Sequence, residues 1–246
     1  MEIRAYKTPK VVVGDDLLTI LDHHIPKIPP KSIVVVTSKI VSICQGRVIK
    51  NDGTVNKHEL IRKEADQYID SNESRYDVYI TIKNDTLIAN GGIDESNGGG
   101  YFILWPENIQ DEAKKIWRHL CKRDGLTHLG VVITDSRATP LRWGTLGVSL
   151  AWCGFEPLKN YIGTPDIFGR TLRMTKQSIV DGLAASAVLL MGEGNEQTPL
   201  VMIQDVPFVT FRSDAPTQKE IKALRIQPKN DLFAPLIDSP KWKRGG

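Results

Sequence analysis

The sequence has little of what marks several common classes of protein. Its 246 residues hold three cysteines, Cys44, Cys121 and Cys153, an odd number set far apart. They make no disulfide frame and read as reduced thiols. Among the five histidines, His23 and His24 are adjacent, and His58, His119 and His128 are scattered. No paired ligand spacing results, so a zinc site is not expected. No apolar run approaches membrane-spanning length; 33–36 and 131–133 are representative. Residues 1–10 are mixed and polar, without the apolar segment of a secretory signal. The expectation is a cytoplasmic protein with no membrane partner. A formal charge of +3 is too small a bias to indicate nucleic acid. The G-x-x-x-x-G-K-[ST] phosphate loop, the G-x-G-x-x-G dinucleotide turn and the G-x-S-x-G elbow are all missing. Any bound nucleotide must then sit on an uncommon scaffold.

Hydrophobic residues make up 41% and charged residues 25%, enough for a packed core in one large or two small domains. Residues 32–37 (Ser-Ile-Val-Val-Val-Thr) predict a buried strand. Residues 130–134 and 146–152 predict two more, 77–83 alternates as a strand does, and 200–204 and 208–211 read as late strands. Asp15 is expected to cap a short helix through Asp22. Residues 56–68 carry Leu60, Ile61, Ala65 and Tyr68 on one side, predicting a helix. The clearest helix is 111–122. There Ala113, Ile116, Trp117, Leu120 and Cys121 form one stripe, acids open it, bases close it, and Gly125 stops it. Residues 177–191 predict a helix whose small residues at 184–187 allow a close neighbour. Thr217 with Glu220 suggests a capping box. From Gln227 onward, Pro228, Pro235, Pro240 and the final two glycines suggest an irregular tail. One domain over 1–226 and a tail over 227–246 are expected. Strands and helices mix without a βαβ rhythm, which favours an α+β fold over a doubly wound sheet.

Three acids stand out by their surroundings. Asp94 lies in Asn90-Gly91-Gly92-Ile93-Asp94-Glu95-Ser96-Asn97, followed by three more glycines. Such a loop lets backbone approach a ligand and aims amides at anions, or it is simply a surface turn. Asp135 follows the 130–134 run, between Thr134 and Ser136. It suits a hard divalent cation, or it is an ordinary turn aspartate. Glu193 sits between Gly192 and Gly194 after a helix, a pattern that a glycine-terminated helix with a solvated loop also explains. Arg137, Arg142 and Arg170 offer forks for phosphate or carboxylate, and each reads equally as a surface arginine. Lys39 after a buried strand is open to the same two readings.

The order of the segments adds to this. Thr8-Pro9-Lys10-Val11, Gly14-Asp15-Asp16-Leu17, Thr37-Ser38-Lys39-Ile40-Val41-Ser42, the 90–97 block, Ile133-Thr134-Asp135-Ser136, Leu141-Arg142-Trp143-Gly144, Asp166-Ile167-Phe168-Gly169-Arg170 and Met191-Gly192-Glu193 run collinearly through most of the chain. Together they resemble the coenzyme F420:L-glutamate ligase family. The resemblance implies an unusual mixed α+β fold of two intimately packed subdomains, and a homodimer with its site near the interface. It implies GTP as co-substrate and two divalent ions, Mg²⁺ or Mn²⁺, held by Asp94, Asp135 and Glu193. Nucleotide contacts are implied at Thr8, Pro9, Lys10, Val11, Ser38, Lys39, Asn97, Ser136, Met191, Gly192, Gly194 and Asn195. Arg142 and Arg170 are candidates for offsetting developing charge or holding glutamate.

The expected reaction joins L-glutamate to a small-molecule acceptor carboxylate through an acyl phosphate. The glutamate-free deazaflavin coenzyme precursor is the first candidate acceptor. Two departures are visible: Ile43 stands where some members have lysine, and Gly91 replaces an alanine. The segments 154–161 and 192–199 look closer to a bacterial subgroup of folate-metabolism γ-glutamate ligases, which makes a folate acceptor the alternative. A nucleotide- and metal-binding protein without turnover is a further reading.

Overall fold

The computed structural model describes residues 1–246. Its strands are β1 (Glu2–Tyr6), β2 (Ser32–Thr37), β3 (Val48–Lys50), β4 (Gln67–Ile69), β5 (Ile80–Lys83), β6 (Thr86–Ala89), β7 (Tyr101–Ile103), β8 (Leu129–Ala138), β9 (Thr145–Cys153), β10 (Leu158–Asn160), β11 (Lys176–Ser178), β12 (Leu200–Gln204) and β13 (Lys243–Arg244). The helices are α1 (Leu17–His24), α2 (Ser38–Cys44), α3 (Lys57–Glu64), α4 (Ile109–Asp124), α5 (Ile179–Met191), α6 (Gln218–Leu224) and α7 (Ala234–Ile237). This is an α+β fold, as expected.

The central sheet runs in the order β1-β12-β2-β8-β9, antiparallel except for the β2–β8 pair. Both faces of β2 are buried, which explains its unbroken apolar run. On one face, Val34, Val36, Val131 and Ile133 pack against α1, α2 and α4. On the other, Ile33, Val35 and Val132 pack against α5. The stripe of α4 is buried as its spacing requires, through Ala113, Ile116, Trp117 and Leu120. Gly125 ends that helix at φ +67. Truncating Ile116 would cost about 2–5 kcal/mol. Between β2 and β8 the chain detours through a small lobe. There β13-β4-β5-β6 form a second sheet, β3 pairs with β7, and Leu60, Ile61, Tyr79, Ile93, Phe102 and Leu104 form a separate core.

Several boundaries differ from the sequence expectation. Asp16, not Asp15, caps α1 by accepting from the Thr19 amide at 2.8 Å; Asp15 accepts from Val12 instead. Helix α3 stops before Ala65 because 67–69 is taken up by pairing with β5. The start of 177–191 belongs to β11, and Ser178 caps α5. Residues 208–211 form no strand: Phe208 has φ +66, and only a single bridge joins Phe211 to Phe155. The expected capping box of Thr217 and Glu220 is present. The last residues return to the small lobe, where β13 pairs with β4.

Two features shape the site. Strand β8 runs on to Ala138, so Asp135 lies within a strand rather than after one. Strand β9 carries a bulge: Ile133 pairs with Ala151 and Thr134 with Ser149, leaving one extra residue on β9. The bulge flips the alternation of β9, so Gly147 faces α5 and meets Ala184 so closely that a Cβ would overlap its carbonyl.

Candidate active site

The carboxyl ends of the parallel pair gather the polar residues. Thr37 pairs with Thr134, so Ser38 and Lys39 at the start of α2 lie beside Asp135. Crevices beyond such strand ends are where open sheets bind ligands. Alternation along β8 sorts its side chains. Val131 and Ile133 face α4, and Asp135 and Arg137 continue that face. Ser136 points the other way, and its hydroxyl donates to Glu193 Oε2 at 3.2 Å.

A cleft of about 790 Å³ opens here, within the size range of small-molecule sites. Thr8, Pro9, Lys10 and Val11 form one wall, and Met191, Gly192, Glu193, Gly194 and Asn195 another. Lys39, Asp94, Asn97, Asp135 and Ser136 also line it. The walls are tied together. The Thr8 amide donates to Gln197 O at 2.9 Å, and Asn97 Nδ2 donates to Gly194 O at 2.8 Å. Ser38 instead lines a smaller cavity of about 250 Å³, which shares Lys39, Asp94, Asp135 and Ser136 with the first. Fourteen of the seventeen expected site residues therefore line the large cleft, and Ser38 lines the smaller cavity. Arg142 and Arg170 do not join them. They sit on the exposed 139–144 and 161–175 hairpins and line neither cavity.

The acids differ in charge balance. Asp94 Oδ2 meets Lys39 Nζ at 2.7 Å, and Ser96 donates both its amide and its hydroxyl to the same carboxylate. Burial works to raise the Asp94 pKa, but Lys39 and Ser96 outweigh it and hold the group below its ordinary value. Asp135 has no cation at bonding distance. It accepts from Trp105 Nε1 at 2.5 Å and from the Ser136 amide at 2.9 Å. Burial is the largest influence, and the charge of Asp94 adds to it. Together they lift the Asp135 carboxyl from 3.8 to about 6 against those donors. Glu193 is exposed and accepts from Thr145 Oγ1 at 3.0 Å.

No three His, Cys, Asp or Glu side chains stand close enough to enclose an ion by themselves. Mg²⁺ is commonly held by one or two carboxylates together with substrate phosphates, so a complete protein cage is not required. Asp94 and Asp135 meet that description with oxygen donors; Glu193 stands off across the cleft. The half-buried charge of Asp135 beside Asp94 is also the kind of deficit that a cation relieves.

Sequence reasoning passed over Trp105 and Thr145, and took Glu196 only as part of the 191–198 loop. Trp105 reaches Asp135, Thr145 reaches Glu193, and Glu196 accepts from the Gly194 amide at 2.9 Å. Trp105 is 30 positions from its partner, so no local pattern marks it. Gly92 was the available signal. Its φ is +74, and a Cβ there would overlap the Trp105 indole, which explains the second glycine of the 90–100 loop. Gly91 sits at φ +64, a conformation that the alanine of other members would strain. Ile43 lines the cleft as a buried apolar side chain.

The fold and the cleft lined by two acidic side chains, Asp94 and Asp135, have the form of a small-molecule enzyme site. Comparison with known proteins names the class. The F420-0:gamma-glutamyl ligase family matches residues 5–205, and the chain belongs to that family. It is similar to the coenzyme F420:L-glutamate ligase of Methanosarcina mazei, with 31% identity over 84% of this chain and 86% of that one. The same enzyme of Methanopyrus kandleri is 29% identical over 91% and 93%. That of Methanococcus maripaludis is 32% identical over 84% and 89%. The chain is accordingly a ligase. No helix in it is long and apolar enough to cross a membrane.

Proposed function

We propose that this enzyme forms an amide between L-glutamate and the carboxylate of the glutamate-free deazaflavin F420 precursor, using GTP and passing through an acyl phosphate. The observation that carries the reading is the carboxylate pair Asp94 and Asp135 at the floor of a cleft of about 790 Å³. A carboxylate is a poor electrophile, so it must first be activated. One acceptor oxygen attacks the γ-phosphorus, and the β–γ bridging P–O bond breaks with its electron pair leaving on GDP. The glutamate amine then attacks the acyl carbon, the C–O bond to phosphate breaks, and the amine proton passes to solvent. Two divalent ions, Mg²⁺ or Mn²⁺, would supply the charge neutralisation that phosphoryl transfer demands.

The chain's own residues have distinct parts in this. Asp94 and Asp135 face the transferring phosphoryl group, with Glu193 across the cleft. Lys39, held by Asp94 and by Ser96 O at 2.9 Å, contributes a fixed positive charge. The 8–11 and 191–195 walls hold the nucleotide. Leu141, Trp143, Ile167 and Phe168 are almost fully exposed, which supports a homodimer that covers them. Arg142 and Arg170 lie on the same hairpins, and on this reading they act where a second copy of the chain meets the first. The likeness of 154–161 and 192–199 to folate-type ligases favours a reduced folate as the second candidate acceptor.

The test is a mass-spectrometric ligation assay with GTP, Mg²⁺, Mn²⁺ and glutamate against either acceptor. A glutamate-sized mass gain on the deazaflavin supports the proposal. A gain only on folate transfers the same chemistry to the second reading, and no gain on either removes both.

A further inference from the structure

The smaller cavity of about 250 Å³ adjoins the large cleft, and both are lined by Asp94 and Asp135. With a nucleotide in the large cleft, this second cavity is left to another substrate. Its volume is that of about eight water molecules at ~30 Å³ each. That suits a small amino acid.

Its charges are specific. Most cations near the acids are engaged: Lys39 with Asp94, Arg47 with Glu64 and Glu107, and Lys57 with Glu95. Arg137 lines the cavity without an ion pair. It follows Asp135 by two residues on the same face of β8, about 7 Å further along the strand. Ser38 and Ser42 add hydroxyls beside it, and Ile93, Ile103 and Leu104 provide an apolar wall.

We propose that this cavity seats the incoming amino acid, with the Arg137 guanidinium holding its α-carboxylate. The inference rests on the ligase reading above. The amine of an α-amino acid is two bonds from its carboxylate. A carboxylate forked on Arg137 therefore turns the amine toward Asp135 and Asp94, where the acyl phosphate would form. The two acids attract an ammonium, which the amino acid carries and the acceptor carboxylate does not. This favours the amino acid over the acceptor as the occupant, and the methylenes of glutamate lie against the apolar wall. Arginine suits the role because its planar fork binds a carboxylate through two parallel hydrogen bonds.

Calorimetric titration of L-glutamate into the protein tests this, with Mg²⁺ and a non-hydrolysable GTP analogue present. A fluorescent GTP analogue reports nucleotide affinity separately. Arg137→Gln should weaken glutamate binding at least ~10-fold and leave nucleotide affinity within about twofold. Arg137→Lys, which keeps the charge and loses the fork, should fall between. Unchanged glutamate affinity in Arg137→Gln overturns the inference, as does a wild-type protein that binds nucleotide but no glutamate. A loss of acceptor binding with glutamate binding intact overturns it in favour of an acceptor seat. If the wild type binds no nucleotide, the ligase reading fails and takes this inference with it.

Discussion

Two carboxylates on either side of Trp105 live under opposite conditions. Glu64 accepts from Arg47 Nη2 at 2.9 Å and from Lys83, which is only 8% exposed. Arg47 also donates from Nε to the Trp105 carbonyl at 3.3 Å. Asp135 receives the Trp105 indole N–H and an amide, but no cation. Burial works to raise the pKa of both. Lys83 and Arg47 overcome it at Glu64 and hold that pKa below its ordinary value, while Asp135 is left at about 6. Glu64 is thus complete within the fold and braces Trp105 through Arg47. Asp135 carries a charge that the chain itself does not balance. An acid of the second kind costs stability and marks a candidate binding site.

Asp135→Asn would break this contrast most strongly. Ligation should fall at least ~10²-fold, as when other electrostatic stabilisers are removed. Stability should move the other way. In metal-free protein at pH 7, the amide removes a half-buried charge and should add up to about 3 kcal/mol. The pH dependence carries the same sign. With a folded pKa of about 6 against an ordinary 3.8, native protein binds more protons between those values. Wild type should therefore gain stability as pH falls from 7 toward 4, and Asp135→Asn should lack that gain. Urea unfolding of both proteins in EDTA at pH 7 and 5 measures it. Parallel behaviour of the two would remove Asp135 as the unbalanced acid.

Glu64→Gln tests the other half. It leaves Lys83 and Arg47 without their shared carboxylate, at a cost of roughly 3 kcal/mol. Because the folded pKa of Glu64 is depressed, its contribution is fully present above about 4.5 and is lost as pH falls through the folded value. Between pH 5 and 7 the penalty in Glu64→Gln should be constant, so the two acids report in separate windows. A penalty that grows between pH 5 and 7 would contradict that separation.

Much of this was legible in the sequence, and the limit has a physical cause. Burial of β2 and of the α4 stripe follows from local apolar spacing, and the Thr217 capping box from a four-residue pattern. Asp94, Asp135 and Glu193 were visible because glycines or a strand end flank them. Trp105 and the Glu64 cluster were not, since their partners lie 17 to 30 positions away. The continuation of β8 through Asp135 was hidden because its pairing residues, 145–149, come from the next strand. Trp105→Phe measures what was hidden. It keeps the ring and deletes the donor to Asp135. By analogy with residues that orient metal ligands, Mn²⁺ affinity should fall ~10-fold or more. Direct Mn²⁺ titration reads this without turnover, and unchanged affinity would make the indole merely structural.

The smallest effect on folding is expected at the hairpins. Trp143 is 95% exposed and Leu141 fully so, yet both are large and apolar. Within one chain they bury almost nothing, so Leu141→Ser with Trp143→Ser should change unfolding stability by no more than ~0.5 kcal/mol. If a second copy covers them, the same pair of changes should shift sedimentation from dimer toward monomer at micromolar concentration. Any activity that depends on Arg142 or Arg170 across the interface should fall with it and return as protein concentration rises. A wild-type protein that sediments as a monomer would remove the partner copy from the site. The hairpin arginines would then have no route to the cleft, and Lys39 and Arg137 would be the cations left beside the acids.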